Sequence, residues 1–384
     1  MWGLNEGAHD MSLSRTVLIG VATTVAPSTS AVGGFFGHMA RHAERHGARL
    51  VLFDPKNISG RDGTMAAREC LRAHGRREWR QVECRLPDVI YENVFVHLVM
   101  RGYVRPLREL ARARGIPLFN PLMPCKATLS EWVRAHPETG LRVPVTARVV
   151  DVATIDRMLD RFGVVYVKPV GGYGGRGVLR VRCDRSDRRS VWVDCDRCFE
   201  RGAFRRQLSR AEFGRFVRRL LARTACIVQE QIPLLHVDGG KVDFRTVVMR
   251  DRSGVWKLIG IVPKVAAKGG VVTNLVAGGR RMRLAQLREA LGADGVSLPV
   301  GDLERCSLLT AQALTRTYPA LGVIGYDLGV DAKGNVWYIE LNPKPSRSLL
   351  NGDMSRASAR LSAEFALYLG RRSLSRQDVR GVIQ

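Results

Sequence analysis

The chain has 384 residues, and its 61 Lys and Arg against 36 Asp and Glu give a formal net charge of +25. This length allows two or three domains, and no apolar run approaches the ~20 residues of a membrane-spanning helix. The charge predicts attraction to an anion such as a nucleotide, an acidic polymer, nucleic acid or a membrane surface. Because arginines are spread from Arg15 to Arg380, an Arg-rich surface without a dedicated partner explains the charge equally well.

The N-terminal part predicts an α/β domain over residues 14–121, preceded by a disordered lead at 1–13. Glu6 and Asp10 ahead of Arg15 make a poor start for a secretory signal peptide, so a cytoplasmic location is expected. Strands alternate with helices, which is typical of a parallel sheet with helices on its faces. The strands are predicted at 16–21, 49–53, 87–91 and 116–120, and the helices at 35–46 and 103–114.

Residues 122–232 predict a second region that carries a glycine-rich loop. Its helices are predicted at 126–136, 155–162 and 213–222, and its strands at 145–150, 164–169, 178–181 and 226–232. Gly172, Gly174 and Gly177 form a GxGxxG pattern, but a strand follows where the dinucleotide-binding fingerprint requires a helix. The loop is therefore predicted to be a flexible hairpin tip whose glycines let backbone N–H groups approach phosphate oxygens. A mobile surface hairpin without a ligand is the alternative.

A protein kinase also covers phosphates with a glycine-rich hairpin, and Val265-Ala266-Ala267-Lys268 mimics its lysine motif. No catalytic HRD motif occurs, however, and Asp243-Phe244-Arg245 stands where DFG is needed. The spacing from the loop to the lysine is also far too long, so a kinase fold is rejected.

A CxxC pattern at Cys195 and Cys198 raises the question of a metal site. Cys183 lies upstream and Cys226 downstream, but a zinc ribbon needs a second CxxC, which the chain lacks. Free cysteines in a hairpin are therefore favoured over a structural zinc bound by Cys183, Cys195 and Cys198. A disulfide framework is not expected in a reducing cytosol.

The C-terminal part, residues 233–375 followed by a tail at 376–384, predicts an oxygen-rich site. A hairpin at 244–250 and 255–263 and a helix at 303–318 precede two adjacent strands at 325–329 and 337–342. Alternation places Glu340 and Asn342 on one face of the last strand, and Asp327 can lie beside them. Two carboxylates and an amide oxygen suit Mg²⁺ bound to nucleotide phosphates. A polar strand end with surface acids is the alternative.

Two lysines precede this acidic pair in the chain. Lys168 ends the strand before the glycine-rich loop, and Lys126 begins a helix. Either lysine alone is more often a solvated surface residue. Together with the loop and the acidic pair, they predict a site that neutralises the phosphates of a nucleotide.

In this order, the motifs resemble those of the ATP-grasp superfamily. That superfamily has a helix-borne lysine, a strand lysine, a glycine-rich flap, a hinge strand ending in an acid, and then an acid and an E-x-N pair. The chain has these features at Lys126, Lys168, 171–177, 229–232, Asp327 and 340–342. Within the superfamily it is most similar to the endospore coat-associated YheC/YheD family, through residues 87–91, 119–121, 242–245, 272–275, 278–279 and 340–346. The resemblance covers about residues 15 to 370.

The resemblance implies an α/β fold of the ATP-grasp type in three parts. These are an N-terminal pre-ATP-grasp α/β domain, a lid that bears the glycine flap, and a C-terminal sheet domain. ATP is then expected between the lid and the C-terminal domain, with one or two Mg²⁺ ions.

The resemblance also implies a role for each matching residue. The ATP-binding residues are expected to be Lys126 and Lys168 at the phosphates, the flap residues Gly172, Gly174, Gly175 and Gly177, the adenine-reading backbone of Glu230, Gln231 and Ile232, and Asp238 at the ribose. The metal ligands are expected to be Asp327, Glu340 and Asn342. Arg245 and Asn274 are expected to face the transferred phosphoryl group, and the planar fork of arginine suits phosphate. A strand salt bridge with Asp243 is the alternative for Arg245.

The activity that the resemblance implies is ligation of a small-molecule or peptide carboxylate to an amine, through an acylphosphate. Two alternatives stay open: a nucleotide-binding structural or regulatory protein of the spore coat, whose basic surface holds acidic coat material, and a small-molecule kinase on the same fold. The sequence does not separate them, because acceptor pockets are built from variable loops. Specific nucleic-acid binding is not expected, since no recognised motif accompanies the arginines.

Overall fold

The computed structural model describes residues 15–25, 27–58, 63–73, 75–171, 174–183, 189–198, 202–293 and 295–382, with side chains up to residue 375 in the last helix. The predicted lead at 1–13 and Gly172 lie outside these residues. The chain forms two compact units. The first combines the chain up to Asn120 with Arg250–Val255 and the segment from Arg356 onward, and the second combines Pro121–Met249 with Trp256–Ser355.

The first unit is built on a six-stranded sheet. Its strands are β1 (Val17–Ala22), β2 (Ala48–Phe53), β3 (Thr64–Ala73), β4 (Arg76–Arg85), β5 (Val89–Glu92) and β6 (Leu118–Phe119), in the spatial order β4-β3-β2-β1-β5-β6. Its N-terminal helices are α1 (Phe35–Arg45), α2 (Val96–Met100) and α3 (Arg105–Ala113). The strands β1, β2, β5 and β6 pair in parallel, as the alternation of strands and helices predicts.

The antiparallel hairpin β3–β4 was not predicted from the sequence. It extends the sheet beyond β2. Its two strands are rich in arginine and glutamate, and only scattered side chains such as Met65, Ala67 and Trp79 are buried. The apolar alternation that marks a half-buried strand is therefore too weak to recognise in this stretch.

A long C-terminal helix, Gly352–Val382, completes the first unit. Ala359, Ala363 and Phe365 are buried in the same core as Met39, and Phe365 packs edge-on against Phe119 with 5.2 Å between ring centroids. The sequence-based boundaries assigned residues up to 375 to the C-terminal subdomain and 376–384 to a tail. The helix crosses that boundary, and its part from Arg356 onward clusters with the first unit.

The second unit contains a lid sheet with two helices on one face. Its strands are β7 (Thr146–Val149), β8 (Val164–Pro169), β9 (Leu179–Arg182), β10 (Ser190–Cys198), β11 (Gly202–Ser209) and β12 (Cys226–Glu230), in the order β11-β10-β9-β8-β12-β7. The helices of this part are α4 (Lys126–Arg134), α5 (Val152–Phe162) and α6 (Arg210–Leu221). Alternation on β10 buries Val191, Val193 and Cys195 in the core that includes Ile155 and Phe213. The opposite face of the lid sheet is thus left for the cleft.

Local signals account for the ends of the lid helices. Asp151 accepts a hydrogen bond from the backbone N–H of Thr154 (2.8 Å) and begins α5, and Gly163 ends it with φ +74°. Ser209 and Glu212 form a capping box at the start of α6.

The other sheet of the second unit, called here the C-terminal sheet, consists of β13 (His236–Val237), β14 (Gly240–Arg250), β15 (Trp256–Val265), β16 (Arg280–Arg281), β17 (Val323–Val330) and β18 (Val336–Asn342). Its order is β16-β15-β14-β17-β18, with β13 paired to β14. Helices α7 (Leu284–Ala293) and α8 (Val300–Thr317) pack on its core, and α7 was not predicted from the sequence.

Candidate active site

The lid sheet and the C-terminal sheet line a cleft with a volume of about 120 Å³, which is partly open to solvent. The predicted site residues that line the cleft are Lys126, Lys168, Gly175, Glu230, Ile232, Asn274, Asp327 and Glu340. The lining residues that the sequence analysis did not assign to the site include Tyr166, Gln229, Lys241, Asp243 and Lys264.

The three predicted metal ligands lie on the adjacent strands β17 and β18. Asp327 is directly opposite Glu340 in the antiparallel register, and Asn342 is two residues further along, opposite Gly325. Glu340 Oε1 is 3.2 Å from Lys126 Nζ. Asp327 Oδ1 accepts hydrogen bonds from Arg245 Nε (2.8 Å) and Lys264 Nζ (2.9 Å), whereas Oδ2 accepts one at 3.1 Å from Arg245 Nη2.

This donor set fits a magnesium ion. A carboxylate has about four lone-pair sites, so Asp327 retains capacity for a cation beside its three hydrogen bonds. Among the described residues, no three His, Cys, Asp or Glu side chains come together as metal ligands. Asp327 and Glu340, with Asn342 two residues further along β18, could therefore hold such an ion only if a bound ligand or water supplied the remaining oxygens.

Four charged side chains form a buried network at the base of the cleft. Lys264, only 1% exposed, lies 3.0 Å from Asp243 Oδ1 and 2.9 Å from Asp327 Oδ1. Arg245 completes the network through Asp327, and Thr273 donates its hydroxyl to Asp243. Each charge thus has a partner of opposite sign, which burial requires.

The pKa values of three members of the network depend on burial and on the neighbouring charges. Burial alone raises the pKa of Asp327, but the charges of Lys264 and Arg245 hold it well below its usual range. Burial raises the pKa of Asp243 against the opposing effect of Lys264. Burial also opposes the charge of Lys264, yet Asp243 and Asp327 together raise the pKa of that ammonium group. Lys264 therefore stays a cation inside the protein.

Three other lysines point into the cleft from different elements. Lys126 comes from the start of α4, Lys168 from the end of β8, and Lys241 from the start of β14. Lys168 donates to the side chain of Gln229, and Lys241 donates to the hydroxyl of Tyr166 at 2.7 Å. Burial, together with the charge of Lys126, lowers the pKa of Lys168 to about 8. These amines can supply positive charge to an anionic ligand in the cleft.

The glycine-rich loop has the geometry that only glycine adopts readily. Gly174, Gly175 and Gly177 have φ of +63°, +73° and +75°. A Cβ atom on Gly175 would lie 2.8 Å from Asn274 Nδ2. The loop therefore passes close over Asn274, which precedes a short 3₁₀ helix, Leu275–Ala277.

The hinge strand β12 leads into the cleft at Glu230. The N–H of Glu230 donates to the Val145 carbonyl (3.0 Å), and its carboxylate accepts from the Val145 N–H (2.8 Å). The N–H of Gln231 donates to Val164 O at 3.3 Å. Two of the three backbone amides predicted to contact adenine are therefore already hydrogen-bonded within the lid. The prediction of adenine binding then depends on Ile232, which lines the cleft.

Asp238 is placed less favourably for the ribose role predicted for it. It lies in the turn between β13 and β14 with φ +54°, its side chain is 70% exposed, and it is paired with Arg280. It is not among the described residues that line the cleft. The ribose contact therefore stays a prediction without geometric support.

The cysteines considered for zinc are free thiols. Cys195 is buried in the core of the lid, and this burial raises its pKa to about 12. A zinc ligand needs a thiolate, so this environment favours a structural cysteine.

Within the described residues, no helix combines the length and the apolarity needed to cross a membrane.

The ammonium of Lys241 should make stability depend on pH. Burial, followed by the charge of Arg180, lowers the pKa of Lys241 to about 7, whereas an unfolded lysine titrates near ~10.4. Between these two values the unfolded state binds a proton that the folded state lacks, so the free energy of unfolding should rise with pH from about 7 to about 10. We expect Lys241→Met to remove this rise.

The measurement is urea unfolding of wild type and variant at several pH values, taken as the difference between the two curves. Lys333→Met, in the exposed turn before β18, is the control and should leave the pH dependence unchanged. A Lys241→Met curve that runs parallel to wild type from pH 7 to pH 10 would contradict this prediction.

The fold and the cleft together define a protein of the ATP-grasp type. Residues 115–369 match the family described as YheC/D like ATP-grasp, and since this is more than half of the chain, the protein belongs to that family. This confirms the resemblance found in the sequence.

Two relatives come from Bacillus subtilis (strain 168). Endospore coat-associated protein YheD is 23% identical over 364 residues, which cover 89% of this chain and 75% of YheD. Endospore coat-associated protein YheC is 21% identical over 316 residues, which cover 82% of this chain and 85% of YheC.

Among solved structures, the macrocyclase MdnC bound with precursor peptide MdnA, from Microcystis aeruginosa MRC, superposes with a TM-score of 0.51. The identity is 10%, and the match covers 92% of this chain and 99% of MdnC. At this identity the likeness concerns the fold alone.

Proposed function

We propose that the protein is an ATP- and Mg²⁺-dependent ligase that joins a carboxylate to an amine. The observation that carries the proposal is the pairing of Asp327 with Glu340 in a cleft whose other walls carry Lys126, Lys168 and the glycine-rich loop. Membership of an ATP-grasp family supports a nucleotide as the ligand of this cleft.

The nucleotide is proposed to lie with its phosphates between the lid and the C-terminal sheet. Lys126 and Lys168 neutralise phosphate charge, and the backbone of Gly174, Gly175 and Gly177 approaches the phosphate oxygens from above. The adenine lies beside the hinge at Ile232. The lid then excludes water from the reacting groups, which limits hydrolysis of an activated acyl group.

Asp327, Glu340 and Asn342 are proposed to hold Mg²⁺, which when bound neutralises the phosphates and orients them. Arg245 is held by Asp327 through two of its five N–H groups, and this leaves the rest of its fork for an oxygen of the transferred group. Asn274, under the glycine-rich loop, is proposed to donate to the same group. In this way the carboxylate that binds the metal also orients the arginine.

The proposed reaction has two steps. A carboxylate oxygen of the first substrate attacks the γ-phosphorus, the bond to the β–γ bridging oxygen breaks, and ADP leaves. The amine of the second substrate then attacks the acyl carbon, and inorganic phosphate leaves with the proton passing to solvent or to a nearby base. The chain contributes alignment and positive charge to both steps.

A second candidate is a nucleotide-binding coat protein with little turnover. The names of both Bacillus relatives favour it, since each is described as endospore coat-associated. The net charge of +25 would then serve to hold acidic coat material, after synthesis in the cytoplasm.

The test is release of ADP from Mg·ATP in the presence of carboxylates and amines, offered singly and in pairs. Because MdnC is described with a precursor peptide, the carboxylates should include Asp- and Glu-containing peptides beside free amino acids. We expect ADP release that needs both partners, with the joined product detected by mass spectrometry. ADP release with a hydroxyl compound and no amine would instead establish a small-molecule kinase. Stabilisation by Mg·ATP without any ADP across the panel would favour the coat protein.

A further inference from the structure

A short segment after β15, residues 269–274 and called here the clasp segment, is held from both sides of the cleft. From the lid, Arg180 Nη2 donates to Gly269 O at 3.2 Å. From β14, Lys241 donates to Val271 O, and Asp243 accepts the hydroxyl proton of Thr273. Charged side chains of the two sheets thus meet on one stretch of backbone.

The strongest lid contact to the clasp segment comes from Asp196 on β10. Its Oδ2 accepts the backbone N–H groups of Val271 (2.6 Å) and Val272 (2.9 Å), and its other oxygen pairs with Arg205. The side chain is only 8% exposed. Hydrogen bonds from N–H groups to a shielded carboxylate are stronger than neutral ones, so this contact anchors the segment to the lid.

The next residue of β10 holds the glycine-rich loop. Arg197 Nη1 donates to Gly174 O at 3.0 Å, and Arg197 O accepts the N–H of Gly177 at 2.7 Å. Consecutive residues of β10 therefore hydrogen-bond to the clasp segment and to the glycine-rich loop. These two segments are also close to each other, since Asn274 lies against Gly175.

We infer that Asp196 is a positioning residue that makes the glycine-rich loop and the clasp segment move as one body with the lid. Closure of the lid over a ligand then brings Thr273 and Asn274 into place in the same event. The role of Asn274 in phosphoryl transfer rests on the proposed function, whereas the coupling rests on the hydrogen bonds themselves. Asp196 does not touch the reacting atoms in this scheme.

The coupling is tested by amide hydrogen exchange on the full chain. In Asp196→Asn the side chain keeps an oxygen acceptor but loses its charge, so the amides of Val271 and Val272 should exchange at least about tenfold faster. If the pieces are coupled, the amides of residues 174–177 should also exchange faster. Asp302→Asn, an exposed acid on α8 that pairs with Arg305, is the control and should leave both regions unchanged.

A second variant guards against a folding defect. Arg205→Gln leaves Asp196 in place but removes the cation that pairs with it. The Arg205 side chain is 41% exposed. We expect a smaller acceleration in the same two regions, with the melting temperature preserved. Unchanged exchange at residues 271–272 in both variants, or a loosened clasp segment beside an unaffected glycine-rich loop, would overturn the inference.

The link to ligand binding uses the non-hydrolysable analogue AMP-PNP with Mg²⁺. In wild type the analogue should protect residues 174–177 and 269–274 together, and in Asp196→Asn it should protect only the first region. Protection of both regions in the variant would overturn the inference. If the wild type shows joint protection by AMP-PNP but releases no ADP from Mg·ATP with any carboxylate and amine of the panel, the ligase proposal is refuted and the coupling stands.

Discussion

Replacing Lys264 with methionine is expected to destabilise the protein by about 3–5 kcal/mol. The change keeps the length of the side chain but removes the ammonium that lies between Asp243 and Asp327. Two buried carboxylates would then lie close together, and Arg245 donates hydrogen bonds to Asp327 but not to Asp243. The loss should appear as a lower midpoint in urea unfolding followed by circular dichroism and by tryptophan fluorescence.

The control for this change lies on the same strand. Lys257 of β15 is exposed, so Lys257→Met should change the free energy of unfolding by less than about 0.5 kcal/mol. The double variant Lys264→Met with Asp243→Asn removes one of the two facing charges and should recover part of the loss. A Lys264→Met protein as stable as wild type would contradict this prediction, because it would show that these ion pairs do not contribute to the free energy of unfolding in solution.

The order of elements around the site could be predicted because its signals are local. Glu340 and Asn342 share a face through simple strand alternation, and the register indeed places Asp327 opposite Glu340. The position of Lys168 in the site was predicted from the strand that it ends and from the glycines that follow it. In each of these cases the informative residues lie within a few positions of one another in the chain.

The buried network could not be predicted for the opposite reason. Asp243, Lys264 and Asp327 come from three different strands, and only the pairing of β14 with β15 and β17 brings them together. A lysine such as Lys241 gives no sign in the sequence that it faces a cleft. The same limit applies to the C-terminal helix, which packs through residues between Ala359 and Leu374 with a sheet formed more than 200 positions earlier, between Val17 and Phe119.

Lys126 and Glu340 show how ligand binding can change the contacts of the site. In this structure the lysine neutralises the carboxylate at 3.2 Å, and both side chains are about a quarter to a third exposed. Such a pair contributes at most about 1 kcal/mol to stability, so a cation and an anionic phosphate can replace it at little cost. The pair is thus well suited to separate in the proposed complex, in which Mg²⁺ binds the carboxylate and the nucleotide binds the lysine.

Replacing Glu340 with alanine is therefore expected to abolish Mg²⁺-dependent turnover while leaving the fold intact. The loss of one proposed metal ligand beside Asp327 should lower the rate of ADP release by about 100-fold or more. The melting temperature should stay close to that of wild type, because the only ion pair lost within the described structure at this carboxylate is the partly exposed one with Lys126.

The matched control is Glu131→Ala, which removes an exposed glutamate from α4, the helix that also carries Lys126. It should leave both the rate of ADP release and the Mg²⁺ requirement unchanged. Affinity for the analogue AMP-PNP, titrated with and without Mg²⁺, gives a readout that does not need the second substrate. In wild type Mg²⁺ should tighten binding, and in Glu340→Ala that gain should largely disappear. A Glu340→Ala protein with full ADP release, or with an undiminished gain from Mg²⁺, would place the metal elsewhere and remove the basis of the proposed ligase site.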